Sequence, residues 1–382
     1  MGIYTGKDTA ARAAKKAYFG VDGVARQVKK GYIGVNGVAR QFFGSEGSGH
    51  FEIEAISGNP VLMSIAYGNG KYAGAYSLRN QYDGLYLGDD LLTLEKSPVY
   101  DQYEEVLFGN GVFIATSLMT TQSKNPCRVV YSDGTAEWAP AETAELNQYE
   151  WGAAGFGNGV FVLIGIKESG SNKILASATS VDGKNWLFHE IETSLNSGYI
   201  HFLRFYHGVF ILYANLRSPG QFLSERYLLT STDGKTWDKE KGPLGESGDT
   251  TNLAIDYLAY AGSTLVATQT TGSIFTFQAL DPSRPGLFIK KPTLRTDEIL
   301  PGAYWRHIGR DDLIYITFSG YGNNGANSYF AYSKDGLKWQ YVKIPNVQQV
   351  NSYIGYANER HFLRVVNEQG ELQYLAIRYI EE

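Results

Sequence analysis

The sequence predicts an all-β fold built from repeated units of four strands, and two recurring motifs support this prediction. The first motif is a Ser, an Asp-Gly pair and a Trp four or five residues after the Asp. Its four copies begin at Ser132, Ser180, Ser231 and Ser333. The copies start 48, 51 and 102 residues apart, and 102 is twice 51. A period near 50 residues with one copy missing indicates stacked structural repeats.

The second motif is an aromatic or apolar residue, a turn and a β-prone run, about 25 residues before each Asp-Gly. Its copies lie at 67–70, 108–114 and 156–162, with weaker ones at 205–210, 260–262, 308–312 and 357–362. Asn-Gly between β-prone runs predicts a hairpin, because a type I′ turn needs positive φ at both central residues. Each unit then holds two hairpins, or four strands, which is one blade of a β-propeller.

These units, spaced 41 to 55 residues apart, predict a seven-bladed propeller. Six blades are the alternative, because the unit at about 250–300 has no Asp box. The last unit also ends without a box, and an open ring would leave an unpaired strand edge. We expect the alternating stretch 51–56 to supply the missing outer strand.

Residues 1–44 form a different module. Within residues 15–43 a thirteen-residue phrase occurs twice with a period of fourteen, and ten of its thirteen positions are identical. Each copy has a two-residue turn between β-prone arms, so each predicts one hairpin. Because hairpins this small are marginal alone, they need a partner surface, on this propeller or on another protein. The segment 45–49 is a Gly/Ser linker by composition, and we assign the propeller to residues 50–382.

Bulk properties exclude several classes of function. A net charge of −5 argues against a nucleic-acid partner, and the single Cys127 cannot form an internal disulfide. There is no stretch of eighteen apolar residues and no signal segment at the start, so neither membrane insertion nor export is predicted. The six His residues are scattered without metal-ligand spacing, and no cofactor is expected.

The doubled phrase Lys-Lys-x-Tyr-x-Gly-Val-(Asp/Asn)-Gly-Val-Ala-Arg in residues 15–40 resembles a segment of tail and baseplate proteins of phages and prophages of Gram-positive bacteria. The resemblance covers about thirty residues. It implies that residues 1–44 bind other tail or baseplate proteins. It also implies that the protein belongs to a virion or phage-tail-like particle, assembled after synthesis in the host cytoplasm.

The Ser-Asp-Gly-Trp motifs resemble the Asp-box repeats of sialidase-like propellers, across nearly all of residues 50–382. In such propellers the boxes lie on outer hairpins, so the resemblance implies a structural role for their residues. These are Ser132, Asp133, Trp138, Ser180, Asp182, Trp186, Ser231, Asp233, Trp237, Ser333, Asp335 and Trp339. The Arg-Ile-Pro phrase of the sialidases is absent. We therefore predict that the protein is not an enzyme, and least of all a sialidase.

Candidate ligand-binding residues lie near the start of each first strand, where the loops of a propeller converge. Counting back from each turn selects Glu104, Trp151, His201, Asp256, Tyr304, Trp305, Arg306 and Tyr353. Mixed aromatic, acidic and basic side chains suit a sugar ligand. The alternative is that the large side chains only fill the propeller axis.

The sequence thus favours a non-catalytic particle component, whose propeller binds a host cell-surface glycan or a neighbouring particle protein. A glycosidase on the same particle and a free-standing lectin are the alternatives. A homo-oligomer is compatible with each of these functions.

Overall fold

The computed structural model of this chain consists mainly of β-strands. The structure describes residues 17–21, 24–28, 30–35, 38–44, 50–56, 62–78, 81–91, 93–98, 103–117, 129–135, 137–222, 224–241, 255–261, 264–269, 273–279, 288–295, 303–308, 314–320, 327–333 and 340–380. The chain divides into two units, of which one comprises residues 1–52 and 378–382 and the other residues 53–377.

The smaller unit contains the fourteen-residue repeats as two antiparallel hairpins. The first hairpin pairs β1 (Ala17–Val21) with β2 (Val24–Val28), and the second pairs β3 (Lys30–Val35) with β4 (Val38–Gly44). The next strand, β5 (His50–Ile56), runs from this unit into the larger one.

The larger unit consists of four-stranded antiparallel sheets in which sequential strands are neighbours. The first sheet contains β6 (Ser64–Gly68), β7 (Lys71–Leu78), β8 (Gln81–Gly88) and β9 (Glu95–Lys96). The second contains β10 (Glu105–Gly109), β11 (Val112–Thr116), β12 (Val129–Ser132) and β13 (Ala139–Pro140). A 3-10 helix (Ala144–Gln148) follows, and then the third sheet, with β14 (Glu150–Gly157), β15 (Val160–Ser169), β16 (Asn172–Ser180) and β17 (Leu187–Leu195).

The remaining sheets repeat this order. The fourth contains β18 (Ser197–Tyr206), β19 (Val209–Arg217), β20 (Glu225–Ser231) and β21 (Asp238–Lys241). The fifth contains β22 (Ile255–Ala261), β23 (Thr264–Gln269), β24 (Ser273–Ala279) and β25 (Phe288–Arg295). The sixth contains β26 (Ala303–Ile308), β27 (Ile314–Gly320), β28 (Asn327–Ser333) and β29 (Gln340–Lys343).

The seventh sheet contains β30 (Val347–Ala357), β31 (Arg360–Asn367) and β32 (Leu372–Ile380), and β5 is its fourth strand. An ion pair between Arg360 Nη1 and Glu54 Oε2, at 2.7 Å, links β31 to β5. The first strand of each sheet contacts the first strand of the next one, and β30 contacts β6. Antiparallel four-stranded sheets joined through their first strands are the architecture of a β-propeller.

Neighbouring sheets pack through a repeated aromatic contact. The last residue of β14, Gly157, faces the ring of Phe205 in the fourth sheet so closely that a Cβ atom would overlap the ring. Gly68 and Gly109 meet Phe108 and Phe156 in the same way. Each of these Phe rings also packs on the aromatic residue opposite it in its own hairpin, with ring centroids 4.7 to 4.8 Å apart. The Phe-Gly pair of the second sequence motif is therefore a contact between sheets.

The Asn of the same motif joins sheets as well as turning a hairpin. Asn110 has a φ of 50°, and its Nδ2 donates to the carbonyl oxygens of Gly159 (2.8 Å) and Val181 (2.9 Å), both in the next sheet. The equivalent bonds run from Asn69 to Gly111 and Asp133, and from Asn158 to Gly208 and Thr232. Between the seventh and first sheets, Asn358 Nδ2 donates to Tyr72 Oη at 2.7 Å.

The described Asp boxes lie between the third and fourth strands of their sheets. In the box of the third sheet, Asp182 Oδ1 accepts from the N–H groups of Lys184 and Asn185, both at 2.9 Å. Burial by itself would raise the pKa of Asp182, but the hydrogen bonds from Asn185 and Lys184 lower it to about 2. Ser180 Oγ accepts from the Gly183 N–H. In the fourth sheet, Asp233 and Ser231 make the corresponding bonds.

The box of the second sheet is one residue shorter between Ser and Asp. Asp133 Oδ1 accepts from the Thr135 N–H, at 3.0 Å, and Ser132 Oγ still accepts from the Gly134 N–H. The buried Nε1 of Trp138 has no hydrogen-bond partner among the described residues, whereas Trp186 and Trp237 donate to the Gly carbonyl of their own boxes. Ser333 is buried, and Asp335 and Trp339 lie outside the described residues.

The box Trp side chains help to form the cores between neighbouring sheets. Trp138 belongs to a cluster with Leu85 of the first sheet and Val130 of the second. Trp186 belongs to a cluster with Ile114 of the second sheet and Leu163 of the third. The boxes of the second and third sheets therefore stabilise contacts between two sheets, in addition to their own hairpins.

We expect Gly157→Ala to lower the free energy of unfolding by about 1–3 kcal/mol, because the added methyl group overlaps the Phe205 ring. Chemical denaturation measures this change. Phe205→Ala removes the ring, so the double variant should be less destabilised than the sum of the two single variants. Additive effects of the two substitutions on the free energy of unfolding would contradict a contact between Gly157 and the Phe205 ring.

Candidate functional site

The candidate site lies at the ends of the first strands that are remote from the Asn-Gly turns. Three Asn-Gly turns and the equivalent His207-Gly208 and Asn358-Glu359 turns begin with a residue at φ of 47° to 50°, at positions 69, 110, 158, 207 and 358. Six residues before them stand Met63, Glu104, Gly152, His201 and Ser352. Because the first strands lie side by side, these residues occupy equivalent positions in five sheets, and we call them the mouth positions.

The strand ladder is irregular at this level. In the third and fourth sheets the pairing between first and second strand skips Gly152 and His201. In the fifth and sixth sheets it skips Asp256 and Arg306. An extra residue in one strand of a pair is a β-bulge, and bulges often re-aim side chains next to functional sites. Three of the ligand candidates from the sequence thus occupy bulge positions.

Glu104 brings a carboxyl group with a shifted pKa to the mouth position of the second sheet. Its N–H donates to the carbonyl oxygen of Thr116 at 3.1 Å, which holds the residue beside the end of β11. Burial, and secondarily the negative charge of Glu105, raises the pKa of Glu104 to about 7. A substantial fraction of this carboxyl group is therefore protonated at neutral pH. Such a group can donate a proton to a bound ligand.

His201 is exposed at the equivalent position of the fourth sheet. Its ring lies 4.8 Å from the ring of Tyr199 and 4.8 Å from that of Tyr213, measured between centroids. Burial of part of the imidazole lowers the pKa of His201, so that it is mainly neutral at pH 7. Tyr199 is 55% exposed and offers an accessible aromatic face beside it.

Trp151 does not line the mouth. Its side chain is 0% exposed, stacks on Tyr149 with a centroid distance of 5.1 Å, and donates from Nε1 to the carbonyl oxygen of Leu146 at 3.0 Å. The sequence count placed it one residue before the bulge at Gly152, and neighbouring residues of a strand point to opposite sides. A ligand at the mouth therefore cannot touch Trp151.

Tyr353 is half-buried, and its hydroxyl group is 3.1 Å from Nδ1 of His361. His361 is buried, and this desolvation lowers its pKa to about 3. The Tyr353 side chain therefore belongs to the internal packing of the seventh sheet. Asp256 lies on β22, and Tyr304, Trp305 and Arg306 lie on β26, but their side chains fall outside the described part of the structure.

The structure adds one residue that sequence counting missed. Arg364 of β31 lies next to two mouth positions, since it is directly opposite Ser352 and its Nη1 is 3.5 Å from Met63 Sδ. It belongs to a second strand, so a count along the first strands could not select it.

In the described ranges no three His, Cys, Asp or Glu side chains are grouped to hold a metal ion, and no helix is long and apolar enough for a membrane span.

No protein-family model and no curated protein matches this chain. Among solved structures it is similar to the β-propeller domain of the trilobed protease from Pyrococcus furiosus, with 10% identity and a TM-score of 0.51. That match covers 84% of this chain and 96% of the other. At this identity the similarity concerns the fold alone, and the fold is a β-propeller.

Glycoside hydrolases also stand among the similar structures. An exo-1,5-alpha-L-arabinanase from a bovine ruminal metagenomic library matches with 14% identity over 59% of this chain and 91% of that chain, at a TM-score of 0.30. A glycosyl hydrolase from Bacteroides ovatus matches with 13% identity over 59% and 82%, at a TM-score of 0.29.

These matches correct one prediction. The sequence led us to predict that the protein is not an enzyme, with a glycosidase as an alternative, because no familiar catalytic motif was present. That prediction is wrong, as glycoside hydrolases stand among the matching structures. Catalytic groups of a propeller come from different sheets and need no shared motif. Whether this chain has such groups must be argued from its own residues.

We expect the protein to lose stability as the pH falls from about 6.5 toward 3, in part because of His361. Its folded-state pKa of about 3 lies below the ordinary value of 6.5, so the unfolded chain binds this proton first. The contribution of neutral His361 to the free energy of unfolding is complete above pH 6.5. Below that pH it declines by up to about 1.4 kcal/mol per pH unit. The free energy of unfolding, measured by urea denaturation between pH 7 and 4, should fall less steeply with falling pH for His361→Gln than for the wild type.

Proposed function

We propose that this protein is a carbohydrate-active enzyme that cleaves a glycosidic bond at the mouth positions, with Glu104 as the proton donor. The observation that carries the proposal is the partly buried carboxyl group of Glu104, with a pKa of about 7. Cleavage of a glycoside requires a carboxylic acid that is protonated at the working pH and gives its proton to the leaving oxygen.

Two further features support a sugar ligand. The exposed ring of Tyr199 and the neutral imidazole of His201 provide a flat apolar face and a hydrogen-bonding group. Glycosidases pair the acid with a second carboxylate. Asp256 is our candidate for this partner, because its backbone occupies the bulge position of the fifth sheet, equivalent to His201 in the fourth.

Glu104→Gln should lower turnover by about 10²–10⁴-fold on glycosides with a poor leaving group, because the proton donor is lost. Glycosides of acidic phenols need little protonation and should keep most of their turnover. The measurement is hydrolysis of a panel of aryl glycosides and polysaccharides by wild type and variant. Equal loss on all substrates, or no turnover by the wild type, would contradict the proposal.

Glu105→Gln is the matched control. It removes the negative charge that helps to raise the pKa of Glu104, but leaves the acid in place. Its maximal rate should therefore stay near that of wild type. The basic limb of its pH–rate profile should move to lower pH, since the acid then loses its proton earlier.

We also propose that the seven four-stranded sheets are the seven blades of a single closed ring. The contact of β30 with β6 and the place of β5 in the seventh sheet support this count. Class averages from electron microscopy, viewed along the ring axis, should then show seven equal lobes.

We propose further that residues 1–44 attach the propeller to a phage tail or phage-tail-like particle, so that its substrate is a glycan of the host surface. The support is the doubled phrase in residues 15–40, and the assignment of residues 1–52 to a different unit from residues 53–377. Neighbouring tail or baseplate proteins would be the partners.

Deletion of residues 1–44 tests this assignment. The deletion leaves β5 intact, so we expect the propeller to fold but to be absent from purified particles. Circular dichroism of the purified chain checks folding, and immunoblotting of particles checks attachment. A truncated chain that stays on the particles would show that attachment lies elsewhere.

A further inference from the structure

Exposed aromatic side chains are concentrated at the mouth end of the fourth sheet. Among the described Tyr, Phe and Trp residues, Tyr199 and Phe222 are the two with strongly exposed side chains, at 55% and 95%. Tyr199 lies near the start of β18, and Phe222 lies in the loop from β19 to β20. Because β18 begins and β19 ends at the mouth, both residues belong to the same end of one sheet.

A hydrogen-bonded turn holds Phe222 in solvent. The Gln221 N–H donates to the carbonyl oxygen of Ser218 at 3.2 Å, and the Ser218 N–H donates to Oε1 of Gln221 at 3.0 Å. Gly220 has a φ of 84°, which the third position of a type II turn requires. The backbone next to Phe222 is therefore fixed before any ligand binds. Such preorganisation lowers the entropic cost of binding through the Phe222 ring.

Tyr199 and the mouth position His201 form one exposed face. Burial alternates along this part of β18, since Tyr199 and His201 are exposed whereas Ile200 and Phe202 are buried. The His201 ring meets the Tyr199 ring edge-on and also packs against the buried ring of Tyr213, with both centroid distances at 4.8 Å. Tyr213 thus supports His201 from the core, and the imidazole continues the exposed aromatic surface of Tyr199.

This aromatic end of the fourth sheet is remote from the proposed proton donor. The first strands β10, β14 and β18 contact one another in that order, so the third sheet separates Glu104 from His201. At about 10 Å for each packed sheet, the two mouth positions lie roughly 15–20 Å apart. One sugar unit is too short to span this distance. A glycan that reaches both Glu104 and the Tyr199 face must therefore contain several units.

The size of the aromatic end favours a sugar over a protein as its ligand. Two aromatic side chains bury at most about 500 Å² when fully covered, whereas each partner in a stable protein complex buries about 800 Å². A pyranose ring needs much less surface, because its C–H face can stack on a single aromatic ring. Its hydroxyl groups can then bond to a polar neighbour such as the imidazole of His201.

We propose that Tyr199, His201 and Phe222 form a distal subsite for the pyranose units of a polymeric glycan. Units bound at this subsite would hold the chain while another of its units lies beside Glu104. The protein would then act on polysaccharide chains in preference to short glycosides. This preference rests on the proposed function, while the binding of a glycan at the fourth sheet does not.

Affinity electrophoresis of the full chain tests the subsite, in gels that contain xylan, mannan, hydroxyethyl cellulose or glycol chitin. We expect at least one polysaccharide to retard the wild type. Tyr199→Ala and Phe222→Ala should each raise its dissociation constant at least fivefold, whereas Tyr199→Phe keeps the ring and should bind as the wild type does. Leu187→Ala is the matched control, because Leu187 is 64% exposed but follows the Asp box of the third sheet, at the opposite end of the strands.

Three results would overturn the subsite. The first is that none of the four polysaccharides retards the wild type. The second is that Leu187→Ala weakens retardation as much as Phe222→Ala, which would indicate adsorption to any exposed apolar side chain. The third is self-association of the wild type that Phe222→Ala abolishes in analytical ultracentrifugation, which would assign the aromatic end to a second copy of this chain.

Turnover separates this inference from the proposed catalysis. Phe222→Ala should lower kcat/KM on the retarding polysaccharide at least fivefold more than on an aryl glycoside, and Glu104→Gln should bind that polysaccharide as tightly as the wild type. If the chain binds the polysaccharide through Phe222 but cleaves no glycoside, the subsite stands and the enzymatic proposal fails. If Phe222→Ala affects both substrates equally in an active enzyme, the subsite fails and the enzymatic proposal stands.

Discussion

The contact between neighbouring sheets is the interaction on which the rest of this structure depends. A four-stranded sheet with two apolar faces cannot bury both faces by itself, so each sheet is stable only between two others. Here the same set of contacts recurs from one sheet to the next. An Asn amide donates to two carbonyl oxygens of the following sheet, and a Phe ring fills the space that Gly leaves in the preceding one.

This contact explains why two sequence motifs recur in phase. The Asn-Gly turn and the Asp box are the two hairpin ends on the same side of a sheet. The hydrogen bond from Asn110 to Val181 shows that the turn of one sheet is bonded to the box of the next sheet. The Asp182 carboxylate accepts hydrogen bonds from the backbone of its own turn, and these bonds keep it ionised. The Asp182 carboxylate is therefore unsuited to catalysis.

The two ends of the strands have different energetic properties. At the Asn-Gly end, polar side chains are paired with the neighbouring sheet, and the Trp rings lie in the cores between sheets. At the mouth, Glu104 has an elevated pKa, and Nε of Arg364 has no partner. Groups of this kind reduce stability and are common at functional sites. The repeated contacts between neighbouring sheets supply the stability that offsets the unfavourable groups at the mouth positions.

The sequence by itself determined the local structure: the β-strands, the hairpins at Asn110-Gly111 and Asp182-Gly183, the repeat of four strands and the last strand drawn from residues 51–56. These follow from short-range rules of turn geometry and alternation. It also predicted which strand ends carry the candidate site, because the distance from a turn along one strand is set by the strand itself. Only the tertiary structure decided that Trp151 is core, that Asn110 joins two sheets and that Arg364 lies beside Met63 and Ser352. These facts depend on which residues of different sheets meet, and no rule of local spacing contains that information.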